Sequence, residues 1–67
     1  MSGAAAASPR EGKIRRVLDD LILQRQRMRA ADAEAGLLEA NRLGIVYWQW
    51  QLSLCLAEEH AGRNAAA

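Results

Sequence analysis

The apolar residues from Leu37 to Ala57 recur at helical spacing on two sides of one segment. One stripe consists of Leu38, Asn41, Ile45, Trp48, Leu52 and Cys55. The other consists of Leu43, Tyr47, Trp50 and Leu54, with Val46 and Ala57 beside it. At 3.6 residues per turn the two stripes lie on roughly opposite sides of a helix, so a single neighbour cannot cover both. The pattern predicts a helix that is buried on both sides.

An amphipathic segment with a clear start precedes this helix. Ser8-Pro9-Arg10-Glu11 is typical of a capping box, in which the serine hydroxyl and the glutamate each satisfy a free backbone amide and proline occupies the first helical position. The apolar stripe that follows consists of Ile14, Val17, Leu18, Leu21 and Met28, with Arg25 inside it. The sequence therefore predicts an all-α chain.

The connection between the two segments leaves two arrangements open. The stretch Ala30–Gly36 contains strong helix formers, which would allow one long helix from Pro9 to about Ala61. The apolar stripe fades in the same stretch, and folding back buries more of a short chain. A fold-back also brings acidic Glu58 and Glu59 beside the basic residues Arg10, Lys13 and Arg16. We therefore predict a two-helix antiparallel hairpin that assembles into a helical bundle or coiled coil.

The predicted helices span about Pro9–Ala31 and Ala33–Ala61. Asp32 is expected to cap the second helix, Leu43-Gly44 is a second candidate break, and Gly62 is expected to end the helix. A strand is the alternative for Trp48–Leu56, since apolar and less apolar residues alternate there. Helix is favoured because the chain contains no second strand candidate, and pairing between molecules would be needed otherwise.

The chain is too short to form more than one domain. We expect an interaction module at residues 8–62, between disordered alanine-rich tails at residues 1–7 and 63–67. A single cysteine excludes an internal disulfide, and Cys55 with His60 supplies too few ligands for a structural zinc site. Because neither a disulfide nor a zinc site can stabilise the chain, we expect its stability to come from oligomerisation or from docking on a larger subunit. We expect an intracellular protein, cytoplasmic or nuclear, with no secretory signal and no membrane span.

The net charge of +1 is unevenly distributed. Seven basic and three acidic residues lie between Arg10 and Arg29, whereas two basic and five acidic residues follow. The arginine-rich first helix makes a nucleic-acid-associated helical module the alternative function. The interleaved acids and the scatter of the arginines around the helix argue against it.

We find no arrangement of residues typical of catalysis, and we expect neither an enzyme nor a cofactor, a metal or a small-molecule substrate. Cys55 is interpreted as a small core residue and His60 as a solvated residue near a helix end. The predicted function is a small protein–protein interaction or scaffold subunit, either of a homo-oligomer or of a larger complex. Arg25 could pair with a partner's carboxylate, or it could equally extend out of the core so that its charge reaches solvent. The predicted partner-binding residues are Leu43, Tyr47, Trp50, Leu54, Ile45, Trp48, Leu52 and Arg25.

Overall fold

The computed structural model describes residues 8–66, which form two helices joined by a turn at residues 31–34. Helix α1 spans Pro9–Ala30 and helix α2 spans Ala35–Ala66. They pack antiparallel, and residues 8–66 contain no strand. The predicted hairpin is confirmed, whereas the single continuous helix and the strand at residues 48–56 are wrong. The tail predicted for residues 1–7 lies outside the described residues, as does residue 67.

Helix α1 begins as its sequence predicts. Ser8 has an extended backbone, with φ −60° and ψ 158°, and its Oγ accepts a hydrogen bond from the Glu11 amide at 3.1 Å. Pro9 occupies the first helical position, where its missing amide hydrogen has no consequence. The Glu11 carboxylate accepts from Arg15 Nε at 2.8 Å. The hydrogen bond to the serine of the capping box is therefore formed. The glutamate does not complete the box, because it binds Arg15 one turn further along the helix.

The turn is a Schellman motif built around Asp32. The Ala33 amide donates to the Met28 carbonyl at 2.9 Å, and the Asp32 amide donates to the Arg29 carbonyl at 3.2 Å. Asp32 has φ 59°, the left-handed conformation that such a motif requires at this position. The prediction that Asp32 caps α2 is wrong. Asp32 ends α1, and the Glu34 carbonyl accepts the first helical hydrogen bond of α2, from Leu38 at 3.1 Å.

The core lies between the two helices, in the half of the hairpin away from the turn. Ile14, Leu18 and Cys55 are buried. Half-buried apolar side chains from α2 pack against this cluster: Ile45, Trp48 and Leu52. The Cα positions extend over 51 × 24 × 11 Å, so the molecule is a single layer of helices. Most domains bury their helices between two or more layers, and here no second layer is present among residues 8–66.

Helix α2 continues through both glycines that were candidate breaks. At Gly44 the close neighbour is Leu21, whose Cδ1 would lie 3.6 Å from an added Cβ. Past Gly62 the helix runs on to Ala66, so the end predicted near Ala61 falls about one turn too early. With 32 residues against 22, α2 is the longer helix by roughly 15 Å at 1.5 Å per residue.

Candidate protein-interaction site

One side of α2 is an exposed apolar surface, which we call the outer face. It consists of Leu43, Val46, Tyr47, Trp50 and Leu54. Trp50 is 62% exposed, Tyr47 54%, Leu43 53% and Val46 48%, whereas Leu54 is half-buried. These residues recur at helical spacing on the side of α2 opposite α1, so α1 cannot cover them.

The structure settles which stripe of α2 faces inward. Asn41 and Cys55 are buried, at 5% and 0% exposure, and their stripe packs against α1. Of the predicted partner-binding residues, Ile45, Trp48 and Leu52 thus pack against the core within the chain. Leu43, Tyr47, Trp50 and Leu54 lie together on the outer face. That any of these eight residues binds a partner stays a prediction.

Tyr47 and Trp48 connect the outer face to the core. Their rings meet edge to face, with centroids 5.2 Å apart and planes at 90°. Trp48 packs in turn against the core cluster. Such a contact is a favourable arrangement for two aromatic rings, and it restricts the orientation of the Tyr47 ring.

Arg25 and Asn41 form a polar connection across the hairpin. Arg25 Nη1 donates to the Leu38 carbonyl at 3.1 Å and to Asn41 Oδ1 at 3.2 Å. Asn41 Nδ2 donates to the Leu21 carbonyl at 3.0 Å and to Gln24 Oε1 at 3.2 Å. The Asn41 amide therefore uses its acceptor and its donor group across the helix interface. Arg25 makes both of these contacts within its own chain, and its pairing with a partner's carboxylate stays a prediction.

The open end of the hairpin is closed by polar contacts between the start of α1 and α2. Ser8 Oγ donates to Glu59 Oε2, and Arg10 Nη1 binds Glu58 Oε1. Cys55 Sγ donates to the same Glu59 oxygen at 3.3 Å. The charge pattern predicted the approach of Arg10 and Glu58, but nothing local in the sequence indicated the contact between Ser8 and Glu59.

Burial raises the pKa of the Cys55 thiol, and its hydrogen bond to Glu59 acts in the same direction. The side chain has no exposed surface. A nucleophilic cysteine needs a lowered pKa and access to solvent. The interpretation of Cys55 as a core residue therefore agrees with its environment.

A shallow apolar groove of about 230 Å³ lies near the turn. It is lined by Leu21, Gln24, Met28, Leu37, Ala40 and Asn41. None of these side chains titrates near neutral pH, so the groove provides no acid, base or nucleophile for a reaction.

Other kinds of site have no support in the described part of the chain. Within residues 8–66, no group of three or more histidine, cysteine, aspartate or glutamate residues is placed to hold a metal ion. Neither helix, over the same residues, combines the length and the hydropathy needed to cross a membrane. Comparison of the sequence with protein-family models, with curated proteins and with solved structures gives no match.

Proposed function

We propose that this chain is a non-enzymatic interaction or scaffold subunit, acting inside the cell, that buries the outer face of α2 against another protein chain. The observation that supports the proposal is the exposure of Leu43, Val46, Tyr47 and Trp50 together on one side of one helix. In the partner-bound state α2 would lie between α1 and the partner, with apolar contacts on both sides.

The energetics favour covering this face. Fully burying one large apolar side chain contributes roughly 1.5–3 kcal/mol, and four such side chains here are about half exposed. Large contiguous apolar patches on monomeric proteins are often binding sites. Within residues 8–66, the single-layer hairpin has no other element with which to cover this face.

The composition of the face is that of an interface centre. Trp50 and Tyr47 are the residue types that most often dominate binding energy, and they lie at its middle. Glu39 and Arg42, on its edge near the turn, are both exposed and form an ion pair at 2.7 Å. Charges paired at the rim and aromatic residues at the centre are typical of protein–protein interfaces.

The alternative of nucleic-acid binding by α1 has less support. Arg10 binds Glu58, Arg15 binds Glu11, and Arg25 binds Asn41 and the Leu38 carbonyl. These contacts neutralise or occupy several of the guanidinium groups that would otherwise neutralise phosphates. The outer face itself carries aliphatic and aromatic residues without a basic row.

Site-specific photo-crosslinking in the native cell tests the proposal. A benzophenone amino acid is placed at Trp50 in one variant and at Tyr47 in another. Leu23, an exposed apolar residue on the far side of α1, serves as the matched control position. We expect one discrete protein adduct, the same from both outer-face positions, and none from the control. Folded variants that give no protein adduct from either outer-face position would overturn the proposal.

A further inference from the structure

One stripe of α2 runs through the outer face beside Val46, and its residue types read the same in both directions. When the stripe is followed to its ends at alternating four- and three-residue spacing, all of its positions except half-buried Leu54 are exposed. In order they are Gly36, Ala40, Leu43, Tyr47, Trp50, Leu54, Ala57 and Ala61. From either end the sequence is two small residues, a leucine and an aromatic residue. The centre of this mirror pattern lies between Tyr47 and Trp50.

We propose that the outer face binds a second copy of this chain, with the two α2 helices antiparallel; this inference rests on the proposed function. A two-fold axis through the centre of the pattern places Leu43 against Leu54 of the second copy and Tyr47 against its Trp50. Small residues then meet small residues at both ends. A two-fold interface uses the same patch on both chains, so the patch has to complement itself.

The antiparallel direction follows from the mirror pattern. In a parallel pair each residue lies against the same residue of the second copy. Residues of the same type therefore always meet, whatever their order along the stripe. In an antiparallel pair the types must match from opposite ends, and this condition is met at all four levels of the stripe. The helix dipoles also oppose each other in this arrangement, which is favourable.

The charged residues at the edges are compatible with this pairing. Glu39 and Glu58 lie at mirrored heights, so an antiparallel pair could bring them together. By helical position they are on opposite flanks of the outer face, and a two-fold axis makes each flank meet the same flank of the second copy. Within its own chain, Glu39 already binds Arg42 and Glu58 already binds Arg10.

The buried area is sufficient for a small specific dimer. A single aromatic side chain can bury 150–250 Å², and the outer face offers on the order of 500 Å² per chain. Two copies would bury about 1,000 Å², the lower limit for a specific interface. Because the two stripes of α2 lie on opposite sides, the dimer is a row of four helices with the two α2 helices in the middle.

Sedimentation equilibrium on the full chain at micromolar concentration is the first test. We expect about twice the 7.4 kDa chain mass. Trp50→Glu should weaken association by roughly thirtyfold or more, as expected for a residue at the centre of an interface. Leu23→Glu, the matched control on α1, should leave the dimer intact. A monomeric mass for the unmodified chain, with helical circular dichroism, overturns the inference.

Cross-linking then tests the direction. Two variants carry Leu43→Cys or Leu54→Cys, each with Cys55→Ala to remove the native thiol, and a short bismaleimide joins cysteines that lie side by side. In the antiparallel dimer a refolded mixture of the two variants links across chains. A dimer formed by one variant alone does not link. Its two cysteines, one on each chain, lie about 16 Å apart along the helix axis. Linkage of each variant with itself would show a parallel pair and overturn the inference.

The results separate this inference from the proposed function. A folded monomer that still gives an outer-face adduct with a different protein in the cell overturns the self-pairing and leaves the interaction subunit standing. A folded monomer with no adduct overturns both.

Discussion

Asn41 is a polar residue in the middle of an otherwise apolar helix interface. It is 5% exposed, and its amide bonds to Leu21, Gln24 and Arg25 of the other helix. No buried side-chain nitrogen or oxygen among the described residues lacks a hydrogen-bond partner. A shift of one helix along the other would separate Asn41 from all three partners. The residue therefore restricts the register of the hairpin, as a buried asparagine does in coiled coils.

A double-mutant cycle on Asn41 and Arg25 measures this connection. Asn41→Ala is expected to destabilise the hairpin by about 1–3 kcal/mol, because the Leu21 carbonyl loses its side-chain donor and Arg25 keeps only its bond to the Leu38 carbonyl. Arg25→Ala removes the opposite side of the same contact, so the double variant should lose less than the sum of the single losses. Urea unfolding gives the values. Arg16, an exposed arginine of α1, is the control: Arg16→Ala combined with Asn41→Ala should be additive.

At the scale of the elements, the turn depends on one residue in an unusual conformation. Asp32 adopts φ 59° at the position of the Schellman motif where glycine is most common. A β-carbon in this region is unfavourable, although aspartate tolerates it better than most residues. The turn consequently retains strain that glycine would remove.

Asp32→Gly should stabilise the hairpin by about 0.5–1 kcal/mol. The same substitution at exposed Asp19, inside α1, should destabilise it by about 0.3 kcal/mol, because glycine is a poorer helix former than aspartate. Thermal melts followed by circular dichroism compare the two variants. If both substitutions destabilise to the same extent, the left-handed position at Asp32 does not limit stability.

The sequence predicted the elements better than their boundaries. Spacing identified both helices, the serine cap marked the start of α1, and the complementary charges correctly favoured the hairpin. The turn was misassigned because aspartate is common at helix starts, and its role at the end of α1 depends on a left-handed backbone that composition does not reveal. The inward stripe of α2 was not predictable, since its choice depends on two contacts across the interface, of Arg25 with Asn41 and of Ser8 with Glu59.

At the scale of the whole molecule, the core is small because one layer of helices encloses little volume. The buried apolar residues of the described chain are Ile14, Leu18 and Cys55. Domains of this size bury a lower fraction of their surface than larger ones, and their stability is correspondingly marginal. One core side chain thus contributes a large share of the free energy of unfolding.

Leu18→Ala tests this dependence. Removal of a buried leucine costs about 2–5 kcal/mol, which is comparable with the total stability of a domain of this size, so we expect most of the helical signal to be lost at 25 °C. Leu23→Ala makes the same chemical change at a 44% exposed position of the same helix, and its effect should stay within about 0.5 kcal/mol. Equal losses in the two variants would show that α1 is not held by this core.

The short turn at residues 31–34 has a kinetic consequence. Its closure lets the contacts between the two helices form outward from the turn, and small helical proteins fold in about microseconds to milliseconds. Encounter with another chain at micromolar concentration is slower, on the order of 0.1–10 events per second. Each newly made hairpin would therefore be complete well before Trp50 and Tyr47 are covered. If the outer face binds a second chain as proposed, solubility during that interval depends on how quickly the second chain is met. The supply of partner chains, and not folding, would then set the rate of aggregation.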